Sequence, residues 1–133
     1  LSREDTVPIT VRRDAFQSVL QHSDLVIGMA GTALEQAVGL AKPALQLPGE
    51  GPQFTARFAE AQRRLLGPTV LCAPGDAGSR DNIAATAALA LDLLNRSRSD
   101  QELHEQCRRE ASRRLGTAGG GTRMAAAISE LLP

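Results

Sequence analysis

Aromatic side chains are scarce in this sequence. Its 133 residues include three Phe but no Tyr and no Trp. Proteins that bind single-stranded nucleic acid stack bases on aromatic rings, and proteins that bind duplexes carry a surplus of positive charge. Here 15 Lys and Arg residues balance 15 Asp and Glu residues, so the formal net charge is zero. Both features argue against nucleic acid as a partner.

Cysteine and histidine are equally rare. Cys72 and Cys107 lie in unrelated contexts, and His22 and His104 are far apart in the chain. A structural zinc site needs several such ligands at short spacing, so no metal is expected, and free thiols are typical of a reducing cytoplasm. No apolar run approaches the ~20 residues of a membrane span, and no signal peptide is visible. We therefore expect a cytoplasmic protein without a metal cofactor.

Strands and helices alternate along the first half of the chain. The pattern predicts strands at residues 6–11, 25–28, 44–47 and 69–72, and helices at about 14–22, 32–40, 54–66, 82–95, 101–115 and 122–132. Such alternation is typical of the α/β class, here a doubly wound, Rossmann-like parallel sheet with helices on both faces. The length is that of one domain. Because the chain starts on Leu1 instead of Met and offers few strands, we expect it to be part of a longer protein.

Several local features give this pattern its detail. Asp14 is a candidate cap for the first helix, and Pro8 indicates that the first strand lies at an edge. The helix at residues 82–95 is apolar around much of its circumference, which predicts deep burial. Ser99 and Glu102 form a capping-box pattern before the following helix.

The segment from Gly28 to Thr32 joins a buried strand to a helix through two glycines. Its sequence, GMAGT, lets the backbone turn sharply and approach a ligand closely. A helix that starts at the carboxyl end of a parallel strand favours anions, because its first N–H groups are free and its dipole is positive there. The alternative is an ordinary strand-to-helix turn, since neither the P-loop nor the dinucleotide-binding pattern is present.

Glu35 follows Thr32 by one helical turn and has two interpretations. Its carboxylate is suited to accept hydrogen bonds from the two hydroxyls of a ribose. Alternatively, Thr32 and Glu35 form a capping box in which the carboxylate binds a main-chain N–H at the helix start. The residues alone leave both interpretations open.

Other polar residues are weaker candidates. Gln53 follows a strand that ends at Pro48, and its amide suits phosphate oxygens or sugar hydroxyls, although a polar residue at a helix start needs no ligand. Glu50, in the same loop, is most simply a solvated carboxylate. His22 is predicted at a helix end, where histidine favours the free carbonyls, so a catalytic role is not expected. The glycines before Thr122 are most simply a turn between helices.

The segment SDLVIGMAGTALEQAVGLAKPALQLP, from Ser23 to Pro48, resembles the donor-binding half of two-domain (GT-B) glycosyltransferases. Lipid-A-disaccharide synthase and the synthase-related proteins are the most similar, and GPQFTARFAEAQRRLLG, from Gly51 to Gly67, is similar to the synthase-related group in particular. The peptidoglycan N-acetylglucosaminyltransferase and the UDP-N-acetylglucosamine 2-epimerases share the architecture more distantly. The resemblance extends over residues 7–132.

This resemblance implies the C-terminal half of a GT-B fold, in which residues 1–133 form one nucleotide-sugar-binding domain and an N-terminal acceptor domain is absent. It places the UDP diphosphate at the turn of Gly28, Ala30 and Gly31 with Thr32. It assigns the ribose to Glu35, and the diphosphate or donor sugar to Gln53. The catalytic base is expected on the missing domain, and no metal is expected.

The function implied is transfer of a hexosyl or N-acetylhexosaminyl group from a UDP-sugar to a lipid-linked or envelope acceptor, as in lipid A biosynthesis. The partners implied are the UDP-sugar and the chain's own N-terminal domain. The sequence departs from the family pattern in two respects. The loop after Pro48 has few polar residues, and because Tyr and Trp are absent, the uracil would have to bind through main-chain contacts. One alternative is an enzyme similar to the UDP-N-acetylglucosamine 2-epimerases.

A further alternative is a non-catalytic module in envelope assembly. The helix at residues 101–115 carries a narrow apolar stripe and two arginine pairs, Arg108–Arg109 and Arg113–Arg114. Such a helix is able to dock at an anionic membrane surface, here the inner face of the membrane. The simpler interpretation is a solvated helix packed on the sheet.

Overall fold

The structure, a computed structural model, describes residues 7–29, 31–47, 49, 55–75 and 80–132. The helices and strands follow in chain order as α1 (Phe16–His22), β1 (Val26–Gly28), α2 (Thr32–Gly39), β2 (Ala44–Gln46), α3 (Ala56–Leu66), β3 (Val70–Cys72), α4 (Arg80–Ser99), α5 (Gln101–Leu115) and α6 (Gly120–Leu131). This part of the chain is therefore a mixed α/β structure. None of its helices is long and apolar enough to cross a bilayer.

The strands form a small parallel sheet in the order β1-β2-β3. The Cα atoms of Val26, Ala44 and Val70 are register partners across the three strands, and Gly28, Gln46 and Cys72 end them at the same edge. All three residues of β2 are buried, because this strand has a neighbour on each side. The predicted strands at residues 25–28, 44–47 and 69–72 are confirmed, each slightly shortened, but β1 is not the buried strand that was expected, because it lies at the edge of the described sheet and Ile27 is 51% exposed.

Two apolar clusters pack against opposite faces of the sheet. Ala44 belongs to one cluster and the next residue, Leu45, to the other, as expected because successive side chains of a strand point in opposite directions. The first cluster joins α1, α2 and α3 to the sheet through Leu20, Leu34, Ala37, Val38, Ala44, Leu66 and Val70. The second joins α4 and α5 to it through Leu45, Leu93, Leu103 and Cys107.

Helix α5 also holds the carboxyl end of α3. The Arg114 side chain forms an ion pair with Glu110 at 2.9 Å and donates a hydrogen bond of 2.8 Å to the carbonyl of Arg64, near the end of α3. The last turns of a helix leave carbonyl groups unpaired, so a guanidinium there is favourable. Leu103 and Cys107 lie in the second cluster, so the first half of the apolar stripe of α5 packs within the chain's own core.

The predicted strand at residues 6–11 is wrong for the part that is described. Residues 7–12 form no strand, and each of their side chains is exposed. The β-branched residues there favour an extended backbone, but composition alone provides no neighbouring strand, and Pro8 has no N–H to donate. The cap predicted at Asp14 is also wrong: α1 begins after Ala15, without a side-chain cap.

Helix α4 corrects a second prediction. It is longer than expected and mostly exposed: of its residues, Leu93 and Ser97 are buried, whereas Ile83 and Leu91 are each 61% exposed. The alanines of α4 lie all around the helix. They make it apolar in composition but do not form one face of large side chains that would pack in the core. The prediction of deep burial is therefore wrong.

The helix caps differ from the predictions by one or two residues. Asp100 caps α5, and its carboxylate accepts a 3.1 Å hydrogen bond from the N–H of Leu103, so the capping box assigned to Ser99 is wrong. Gly116 ends α5 with a φ of 75°, as expected. The last helix begins at Gly120, two residues before Thr122, and none of its residues is buried.

The two thiols lead to a first testable prediction. Cys107 is buried, and burial raises the pKa of its thiol to about 11 because the thiolate is poorly solvated there. In a Cys72→Ser variant at pH 8, we expect Cys107 to react with a thiol reagent about 100-fold more slowly than the same thiol in denaturant, since the pKa is raised by about two units. The stability from this group should be complete below pH 9 and should decline between about pH 9 and pH 11, as the unfolded thiol ionises first. Rapid labelling of the native protein would contradict the buried position.

Candidate functional site

The carboxyl edge of the sheet brings together the turns that follow the three strands. Gly28, Gln46 and Cys72 end neighbouring strands, and the N–H of Leu47 donates a 2.8 Å hydrogen bond to the carbonyl of Gly28. Ligands of parallel α/β sheets bind at this edge. Cys72 is a poor nucleophile here, because burial raises the pKa of its thiol.

Gly31 shapes the turn from β1 to α2. It is the N-cap of α2, with a φ of 87° and a ψ of −159°, a conformation that is essentially restricted to glycine. Its carbonyl accepts a 3.0 Å hydrogen bond from the N–H of Leu34, which closes the first turn of the helix. No side chain of the described residues caps this helix start. Uncapped N–H groups of this kind attract anions, so this helix start stays a candidate anion site.

Glu35 does not form the capping box that was the alternative to ribose binding. Since Gly31 is the N-cap, Thr32 is the first helical residue and Glu35 the fourth, one position too late for the box. Among the described residues, the half-buried Glu35 side chain has no hydrogen-bond or ion-pair partner. Within that part of the chain, nothing occupies the carboxylate that a ligand would have to displace.

A cleft of about 600 Å³ lies beside Glu35, between α1 and α2. Besides Glu35, its lining includes Phe16 and Leu20 from α1, Leu40 after α2, and Leu115 at the end of α5. The volume falls within the range of small-molecule sites, which combine apolar walls with a few polar groups. Gly28, Gly31 and Thr32 do not line this cleft.

Helix geometry relates the cleft to the helix start. Residues three and four apart lie on one side of a helix, so Thr32, Glu35 and Gly39 follow one line along α2. Glu35 and Gly39 line the cleft, and Thr32 lies one turn before Glu35. A ligand that reaches from the helix start into the cleft would thus pass the carboxylate of Glu35.

Two buried glutamines at this edge were missed by the sequence analysis. Gln46, at the carboxyl end of β2, is 1% exposed, and Gln62 in α3 is 7% exposed. The Nε2 atom of Gln62 donates a long hydrogen bond of 3.5 Å to the carbonyl of Gly31. Both side-chain polar atoms of Gln46, and the Oε1 atom of Gln62, have no hydrogen-bond partner among the described residues. In the sequence, the one signal for such a residue is a polar side chain, Gln46, inside an otherwise apolar strand.

The remaining predicted residues divide into two groups. Ala30, Glu50 and Gln53 lie outside the described residues. His22 ends α1, where its Nδ1 atom lies 2.8 Å from the carbonyl oxygen of Ser18, as expected for a histidine at a helix end. In the described part of the chain, no group of three or more His, Cys, Asp or Glu side chains is placed to hold a metal ion.

Comparison with known proteins adds no assignment: no family model, no curated protein and no solved structure matches this chain.

Proposed function

We propose that this chain is the donor-binding domain of a GT-B glycosyltransferase that transfers a sugar from a UDP-sugar to a lipid-linked or envelope acceptor. In such a domain the sheet would be doubly wound and residues 1–133 would form one unit. The acceptor and the catalytic base would belong to an N-terminal domain facing the carboxyl edge of the sheet. The isolated chain would then bind the donor weakly and turn nothing over.

One observation carries this proposal: among the described residues, the start of α2 at the carboxyl edge has no side-chain cap, and the carboxylate of Glu35, one turn farther along, has no partner. An uncapped helix start stabilises a diphosphate through N–H groups and the helix dipole. A carboxylate accepts hydrogen bonds from the vicinal hydroxyls of a ribose, which an anion-binding site alone would not need. The two groups lie on one side of α2, in the order in which a nucleoside diphosphate would present its phosphates and its pentose.

The chemistry follows from where charge develops. When the sugar–phosphate bond breaks, negative charge accumulates on the departing UDP. N–H groups already oriented by α2 would stabilise that charge without reorganisation at the moment of reaction. Gly31 matters to this step because its positive φ, which glycine adopts without strain, lets the chain turn into α2 shortly after β1.

Titration with UDP tests this function directly. We expect chemical-shift changes at Gly31, Thr32 and Glu35 in the NMR spectrum of the isolated domain, with uridine producing weaker changes because it has no phosphate. Unchanged signals for these residues at millimolar UDP would contradict the proposed function.

The role of Glu35 provides a second prediction. Glu35→Ala should weaken UDP binding roughly 10- to 100-fold, since a hydrogen bond to a charged group contributes about 1.5–3 kcal/mol. The free energy of unfolding should change by less than about 0.5 kcal/mol, because the carboxylate has no partner among the described residues.

Gln36→Ala is the matched control for this variant. Gln36 is the next residue of the same helix and lines the same cleft, but its neutral side chain is not required for the ribose contact. Calorimetric titration should find its UDP affinity within about twofold of the unsubstituted chain. Equal losses in both variants would show that the carboxylate has no specific role.

A further inference from the structure

Three polar atoms are buried at the carboxyl edge without a hydrogen bond among the described residues: Nε2 and Oε1 of Gln46, and Oε1 of Gln62. Gln46 is 1% exposed, and its two neighbours in β2 are apolar. An unpaired amide in such a position lowers stability, whereas an apolar side chain of similar size would not. Groups that break the rules of packing in this way occur mainly at functional sites.

The position of Gln46 relates it to the start of α2. Its Cα is the register partner of Gly28, and its side chain leaves the sheet on the same face as that of Ala44, two residues earlier. Ala44 packs in the first cluster with Leu34, and a Cβ added to Gly28 would lie 3.2 Å from the Cδ2 atom of Leu34. Since Leu34 belongs to the first turn of α2, the Gln46 amide lies beneath that turn.

Gln62 reaches the same turn from α3. Its Nε2 atom donates to the carbonyl of Gly31, the N-cap residue of α2. The peptide that this carbonyl belongs to continues into the N–H of Thr32, the first of the helix-start N–H groups. Gln62 is therefore placed to orient the helix start, and Gln46 is buried under the same turn.

We propose that Gln46 contacts the diphosphate of the donor directly, with Nε2 donating a hydrogen bond to a phosphate oxygen, and that Gln62 is a positioning residue that fixes the peptide of Gly31. This deepens the proposed function and rests on it. The Nε2 donor of Gln46, which has no partner among the described residues of the free chain, gains one when the anion binds. The same buried amide thus lowers the stability of the free chain and strengthens its binding of the diphosphate.

Substitution by methionine tests both roles, because methionine is similar in length to glutamine and has no amide. We expect Gln46→Met to raise the free energy of unfolding and to weaken UDP binding at least tenfold. Inorganic pyrophosphate should lose affinity by the same factor, since the contact is with the diphosphate. Gln62→Met should weaken UDP binding by a smaller factor without a loss of stability. Gln101→Met, at the exposed start of α5, is the control and should change neither quantity.

Each other outcome is decisive. If Gln46→Met leaves UDP affinity unchanged, whatever its effect on stability, the amide does not contact the diphosphate, and the inference is overturned while the proposed function stands. A loss of UDP affinity without a loss of pyrophosphate affinity would overturn the contact with the diphosphate. If the unsubstituted chain binds neither UDP nor pyrophosphate at millimolar concentration, the inference and the proposed function both fall.

Discussion

Replacing Gly67 with alanine is expected to lower the free energy of unfolding by about 3 kcal/mol, from backbone strain and loss of a contact. Gly67 ends α3 with a φ of 95° and a ψ of 179°, where a side chain is strained. A Cβ there would meet the Glu110 carboxylate, whose carbon would be 3.0 Å away. Glu110 is held by Arg114, which donates to the carbonyl groups at the end of α3. Moving the carboxylate of Glu110 would therefore also disturb the contact of Arg114 with the end of α3.

Gly116→Ala separates the two contributions. Gly116 ends α5 in a similar conformation, with a φ of 75° and a ψ of −163°, but a Cβ there has no other atom within 4 Å. Strain alone should cost about 1.5 kcal/mol. Urea denaturation of both variants measures the difference, and equal losses would show that the contact between Gly67 and Glu110 has no energetic importance.

Truncation of Leu45 should have the largest effect of any substitution considered. Leu45 is fully buried at the centre of the middle strand and packs in the second cluster with Leu93, Leu103 and Cys107. Leu45→Ala should lower the free energy of unfolding by roughly 3–5 kcal/mol, because a buried cavity adds to the lost apolar contact. That is a large share of the ~5–15 kcal/mol by which domains are stable.

Leu91→Ala is the corresponding control. Leu91 is 61% exposed on α4, so the same change of side chain should alter the free energy of unfolding by less than about 0.5 kcal/mol. Urea denaturation monitored by circular dichroism compares the two. If Leu91→Ala were as harmful as Leu45→Ala, α4 would pack more deeply than its exposure indicates.

The elements with strong local signals could be predicted from the sequence. The three strands of the sheet are short apolar runs followed by glycine or proline, and α5 combines a clear periodicity with a terminal glycine, although its cap was assigned one residue too early. The strand expected at residues 6–11 was predicted from composition alone. Whether such a segment forms a strand depends on a partner strand, whose residues are distant in the chain. Local propensity carries no information on such a neighbour.

The candidate site was predictable in part for a similar reason. The glycine turn and the helix start are local patterns, so Gly28, Gly31 and Thr32 could be placed at the carboxyl edge. The capping alternative for Glu35 depended on a shift of one residue in the start of α2, which is beyond the precision of a pattern. Gln46 and Gln62 are candidates because they are buried and carry unpaired polar atoms. Both properties can be seen only in the packed structure.

Helix α6 owes little to the rest of the molecule. None of its residues is buried, and Met124, Ile128 and Leu131 form a line of exposed apolar side chains. Without tertiary packing, a helix of this length depends on local propensity, which is marginal in water for segments shorter than ~12–15 residues. Its contribution to the folding free energy is correspondingly close to zero. Polar replacements of these three residues would consequently change the solubility of the protein far more than its melting temperature.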